Sequence, residues 1–155
     1  MHKDLKKIKP TMRIVSRHKV KDTPGIIKGQ TVRPLCGAKQ VPSERIRVGL
    51  AQFKPNLHEH LHWHPIEVFY YVLKGSAVVH DLAGKAYKVG PGDFMAHPID
   101  NIPHEMINDG AEPLVYLVVG QRLTQDITDY PRLGKRLYRH SGARSQVELA
   151  AIKSL

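Results

Sequence analysis

The sequence predicts an all-β sandwich or closed barrel, and three observations carry that expectation. Residues Arg45 to Phe53 alternate with a period of two, the signature of a half-buried strand. Short runs rich in β-branched and aromatic residues then follow one another from Glu67 to Val119. They are punctuated by Lys74-Gly75, Gly90-Pro91-Gly92-Asp93 and Asn108-Asp109-Gly110, which are turn signals. Many short strands separated in this way fit a sandwich or barrel better than an α/β chain.

Taken in order, the chain opens with a basic arm over residues 1–33. Its stretch from 10 to 33 carries Val15, Val20, Ile26, Ile27 and Val32, enough β-branched character to add a strand to an open edge or to cross to a neighbouring subunit. A barrel core is expected over 34–120 and a C-terminal extension over 121–155. In the first core strand Ile46, Val48 and Leu50 oppose Arg45, Arg47 and Gly49, which places Arg47 on the outward side. Lys54-Pro55-Asn56 breaks that strand. Glu67 to Leu73 reads as a buried strand, Ser76 to His80 and Ala86 to Val89 as a hairpin around Gly84, and Phe94 to His97 as a short strand. After a Pro98 to Pro103 loop come strands at His104 to Ile107 and Leu114 to Val119, and Ser145 to Lys153 suggests a short terminal helix.

Composition bounds the function. With 155 residues the chain forms about one domain with a continuous core. No apolar run approaches the length of a membrane span, and the first residues lack the apolar core of a signal peptide, so the expected address is cytoplasmic. The net charge of +10 sits in the ends: residues 1–33 carry +8, 34–119 carry −2 and 120–155 carry +4. The arm has no stacking aromatics and no helix-turn-helix or zinc-finger pattern, which favours a solvated or partner-facing arm over nucleic-acid binding. A single cysteine, Cys36, excludes an internal disulfide and a multi-cysteine zinc site. A metal would rest on histidine and carboxylate.

The chemistry is concentrated in His58-Glu59-His60-Leu61-His62-Trp63-His64, which leads into the strand ending at Gly75. Histidine is the commonest metal ligand, and alternate residues of an extended chain share a face, so His62 and His64 can grip one ion from one wall. His104, far along the chain but at the start of a strand, can converge on the same point if the strands close into a barrel. Gln52, Tyr70, Arg47 and His97 are candidates for the substrate-binding wall.

Pro55, His62-Trp63-His64 and the strand to Leu73-Lys74-Gly75 resemble the first cupin motif. Gly90-Pro91-Gly92-Asp93, Pro98, His104 and Asn108 resemble the second. The stretch from His104 through Leu114 to Gly120, with Asp126 and Tyr130-Pro131, is similar to small single-domain bacterial cupins. The resemblance implies a double-stranded β-helix, or jelly-roll, barrel, commonly a homodimer, with a divalent metal inside. Two positions depart from the pattern. Counting back from Gly75, the family's glutamate falls on Val68, one residue from Glu67; a one-residue slip turns a side chain to the other face unless a bulge re-aims it. Pairing His60 and His62 with Glu67 restores the histidine-to-glutamate spacing but leaves an extra residue before Gly75. The ligand set carried forward is therefore His62, His64 and His104, with Glu67 as a fourth member. Pro98-Ile99-Asp100 stands where the family has Pro-x-Gly, which alters the loop over the pocket.

Three imidazoles suit iron(II), zinc, nickel or copper better than manganese, and iron ranks first. In the cupins, three-histidine iron sites serve dioxygenases, so the resemblance implies a metal-dependent oxygenase acting on a small chelating molecule. The alternatives are a small-ligand-binding or sensory module without turnover, and a metal-assisted isomerase or hydrolase in which Glu67 or Tyr70 moves a proton.

Overall fold

The structure is a computed structural model that describes residues 13–38, 41–97, 102–140 and 143–153. Twelve strands are present among them: β1 (Thr23–Pro24), β2 (Gln30–Cys36), β3 (Ile46–Phe53), β4 (Val68–Lys74), β5 (Ala77–Asp81), β6 (Ala86–Val89), β7 (Phe94–His97), β8 (His104–Ile107), β9 (Leu114–Gln121), β10 (Gln125–Tyr130), β11 (Lys135–His140) and β12 (Ala143–Glu148). The first twelve residues of the basic arm and the Pro98 to Asn101 stretch lie outside the described residues.

One layer is a six-stranded sheet in the order β1-β2-β3-β9-β4-β7. Facing it is the sheet β6-β5-β8, and β10-β11-β12 forms a third. The histidine tract joins the last two. His58 bridges Ile107, His62 bridges His104, and Trp63 bridges Asp129, so the extended tract lies between β8 and β10. Between the layers sits one apolar core of Phe53, Ile66, Val68, Val72, Met106, Leu114 and Tyr116. This is the all-β jelly-roll arrangement expected from the strand pattern, and no helix of the described residues is long and apolar enough to cross a membrane.

Inward and outward faces follow the two-residue period, with one reversal. In β3 the buried residues are Gly49, Ala51 and Phe53, so the inward parity is the odd one and Arg47 shares it. The sequence suggested the opposite because Val48 and Leu50 are the bulkier apolar residues. They lie instead on the outer face, where register sets Leu50 beside Leu117, Leu117 beside Tyr71, and Tyr71 beside Phe94. Phe69 stacks on Phe94 on that face, centroids 5.7 Å apart. The sheet is thus apolar on both sides, the pattern that hides parity from a single sequence.

The N-terminal arm adds strands at an edge of the sheet, as its β-branched residues allow, whereas the C-terminal end differs from expectation. The arm supplies β2, which pairs antiparallel with β3. The segment Ser145–Lys153, read as a helix, is strand β12 followed by a 3-10 turn at Leu149–Ala151. Its helix-compatible side chains are outweighed by pairing with β11 along the whole hairpin, a tertiary override of weak propensity.

Two turns hold the barrel ends. Gly75 ends β4 at φ 78°, and a Cβ there would meet the Pro113 carbonyl oxygen at 2.6 Å, which only glycine escapes. Asn108, fully buried, donates through Nδ2 to the carbonyls of Phe53 and Glu112 and accepts from the Gly110 amide.

Candidate metal centre and cavity

His62, His64 and His104 bring one ring nitrogen each to within 4.8 Å of one another, all three buried. Each side chain reaches that point for a local reason. His62 lies in the bridge to His104, and both backbone hydrogen bonds between them measure 2.9 Å. His64 sits two residues on, at the same parity. His104 opens β8. In each ring Nδ1–H donates to a nearby carbonyl: His62 to His60 at 2.9 Å, His64 to Ile66 at 3.0 Å and His104 to Ile102 at 3.1 Å. These bonds fix the tautomer and leave the Nε2 lone pairs free, the usual arrangement behind a metal-ligating imidazole. His104 Nε2 is buried with no hydrogen-bond partner, a cost that a ligand to that nitrogen removes. Burial also keeps the His64 and His104 rings neutral, holding His64 to about 4 and His104 to about 2. A divalent ion fits this donor set.

The centre faces a cavity of about 350 Å³, whose walls include Arg47, Glu59, His62, His64, Tyr70 and Arg139. Of the candidates named from sequence, Arg47 and Tyr70 line it. Arg47 passes over Gly120, where a Cβ would stand 3.2 Å from the guanidinium Nε. Tyr70 is buried, and burial pushes its phenol well above the ordinary value. His97 lies behind the centre, stacked on the His104 ring with centroids 3.7 Å apart and edge-on to Tyr70 at 5.1 Å; burial lowers it to about 4.

Two named candidates stand elsewhere. Gln52 is exposed on the outer face of β3, because Ala51 and Phe53 take the inward positions. Glu67 is outside the converging group: its carboxylate accepts from Gln121 Nε2 at 3.3 Å. Val68, Tyr70 and Val72 face inward, so Glu67 has the other parity, and no bulge in β4 comes before Val72 to reverse it.

Sequence reasoning missed Glu59. It is 5% exposed, and its Oε1 lies 3.9 Å from His62 Nε2. Burial raises its carboxyl, while His62, His58 and His60 pull the other way. The available signal was Leu61: an apolar residue two positions on marks Glu59 as sharing an inward face. On the far side of β8, Glu105 is buried and faces away from the cavity, taking both oxygens to Arg132 at 2.8 and 2.9 Å and one to His58 at 3.0 Å. Burial pushes Glu105 up, but these hydrogen bonds outweigh it and hold the carboxyl below its ordinary value.

Comparison with known proteins agrees with this architecture. Residues 49–120 match the Cupin domain family. A "putative sugar phosphate isomerase" from Acidithiobacillus ferrooxidans is 34% identical, covering 88% of this chain and 89% of that one, with a TM-score of 0.74. A sugar phosphate isomerase of the cupin superfamily from Silicibacter pomeroyi superposes with a TM-score of 0.78 over 89% of this chain and 94% of that one; at 19% identity it speaks for the fold alone. The polyketide cyclase RemF from Streptomyces resistomycificus is 27% identical over 72% of this chain and 80% of its own, with a TM-score of 0.64. No curated protein matches the chain. The jelly-roll topology, the converging histidines on both motif strands and the 34% identity over nearly the whole length lead to one conclusion: the chain belongs to the cupin superfamily.

Proposed function

We propose that the protein is a metal-dependent isomerase of a small hydroxycarbonyl compound, working by proton transfer inside the barrel. The observation that carries this reading is the buried Glu59 carboxyl 3.9 Å from His62, in the same cavity as the three-histidine centre. The 34% identity to a "putative sugar phosphate isomerase" supports the substrate type. His62, His64 and His104 would hold a divalent ion, with iron, zinc, nickel and copper all suited to imidazole. Such an ion supplies Lewis-acid polarisation of a carbonyl.

The remaining chemistry belongs to the chain. Glu59 as carboxylate takes the proton from the carbon next to the carbonyl, the electron pair moves onto the carbonyl oxygen to give an enediolate, and the hydroxyl proton passes between the two adjacent oxygens. The same carboxyl, now protonated, returns its proton to the neighbouring carbon. A carboxyl that burial raises holds a proton more readily than a free one, as a group carrying it between two such steps must. Val68 and Ala51 add apolar surface to the cavity wall, which strengthens electrostatic contacts within it.

The test is to incubate the metal-loaded protein with aldose and ketose phosphates in deuterated water and follow the carbon-bound proton by NMR. Exchange that depends on Glu59 supports the reading; absence of exchange and of product with every such substrate removes it. A second reading, an oxygenase on a chelating substrate, is favoured by one feature, the absence of a carboxylate from the convergent ligand group among the described residues. Substrate-dependent oxygen uptake by the iron-loaded protein distinguishes it. The apolar outer face of the six-stranded sheet, with Tyr71 42% and Phe94 64% exposed, supports pairing with a second copy of the chain, since contiguous apolar patches mark interaction sites.

A further inference from the structure

Three arginines line the cavity: Arg47 from β3, Arg139 from β11 and Arg144 from β12. Their arrangement is unfavourable taken alone. Arg139 and Arg144 are direct partners in the β11–β12 register, and like charges opposite one another on a sheet destabilise it. Asp126 is the direct partner of Arg139 on the other side, and it binds Arg139 Nη2 at 2.7 Å, while Thr128 Oγ1 accepts from the same nitrogen at 2.8 Å.

That one carboxylate does not satisfy the group. Arg139 Nε is buried without a hydrogen-bond partner, and so is Asp126 Oδ1. No hydrogen bond reaches the guanidinium of Arg47 or Arg144 from any described residue. Arg47 is also drawn down by burial first and by Arg139 next, which reports the same crowding of positive charge. Three arginines against one aspartate leave a charge of about +2, the complement of a phosphate monoester near neutral pH. Arginine's planar fork suits phosphate oxygens.

We propose that Arg47, Arg139 and Arg144 form a subsite for a phosphate monoester, which anchors one end of the substrate while the other reaches the histidine centre. The inference rests on the proposed function only in assigning the anion to the substrate. Asp126 keeps Arg139 aimed while the subsite is empty, and the Arg139–Arg144 repulsion is relieved when the anion enters.

The test uses the full chain as purified, with inorganic phosphate as probe and acetate and a neutral sugar as controls. Calorimetry reads affinity and thermal melting reads stability. Phosphate is expected to bind and raise the melting temperature, with acetate and the neutral sugar much weaker. Arg144→Met, at the exposed rim, is expected to weaken phosphate binding about tenfold or more, and Arg47→Met to do the same. Arg144→Met should also melt higher than wild type in anion-free buffer, which loss of a merely structural arginine would not produce. Phosphate affinity within about twofold of wild type in both variants overturns the proposal; an anion held only at a metal on the histidines would behave that way. Equal binding of acetate overturns the charge argument. Phosphate binding lost in the variants, with no deuterium exchange by the wild type, leaves the subsite standing and removes the isomerase reading.

Discussion

His62 and His104 exchange both of their backbone hydrogen bonds at 2.9 Å, and their rings lie 4.5 Å apart between centroids. Two segments far apart in sequence are thus clamped at the point where their imidazoles meet. The backbone bridge does not depend on the side chains, so a ligand can be removed without removing the clamp.

His62→Ala and His104→Ala are therefore expected to fold and to lose bound metal. Elemental analysis of protein purified without chelator should find near-stoichiometric metal in the wild type and little in either variant. Glu67→Gln should retain it, because its carboxylate is engaged with Gln121.

Glu59→Gln is expected to keep the metal and lose proton transfer. The amide preserves shape but cannot act as a base, and general acid–base groups contribute about 10²–10⁴-fold. Single-turnover rates measured alongside metal content check this. Loss of metal in Glu59→Gln would show that the carboxyl serves the centre and not the substrate.

The metal-free protein should weaken in acid. Burial holds His64 and His97 to about 4 and His104 to about 2, below the ordinary 6.5. Between pH 6.5 and 4 the unfolded chain takes up protons that these folded histidines refuse, so their contribution is complete above 6.5 and is lost as the pH falls. Urea titrations with chelator at pH 7.5, 6 and 5 should show a falling midpoint. A flat profile would mean that the cavity admits water freely.

Phe94→Lys and Tyr71→Lys place a charge in the middle of the apolar outer face without touching the core. Light scattering on a sizing column is expected to find a dimer for the wild type and a monomer for the variants. A monomeric wild type would leave that face uncovered.

Most of the barrel was legible in the sequence because its turns announce themselves. β6, β7 and β8 begin and end where Gly84, the Gly90 to Asp93 turn and Asn108 predict. The histidines were legible for the same reason: His62 and His64 alternate just before a strand, and His104 begins one. What was hidden lies where local patterns are weak. Parity in β3 was masked because Val48 and Leu50 face an apolar exterior, so Arg47, though named as a candidate, was set on the outward side, and the exposed Gln52 was named beside it. β12 carries no apolar alternation, with all six residues exposed, and only pairing with β11 makes it a strand. Arg144 thereby reaches the cavity from a strand whose residues from Ser145 onward read as helix.

The carbonyls that anchor the three imidazoles belong to His60, Ile66 and Ile102, each two residues from the ring it holds. The shape of the centre is thus set by short stretches of its own chain and needs no ion to draw the rings together. Little rotamer freedom is left to lose when an ion arrives, so binding is expected to cost little ordering entropy. Metal should then stabilise the protein by mass action on a native state that already exists, and its arrival should leave hydrogen exchange in the surrounding strands almost unchanged.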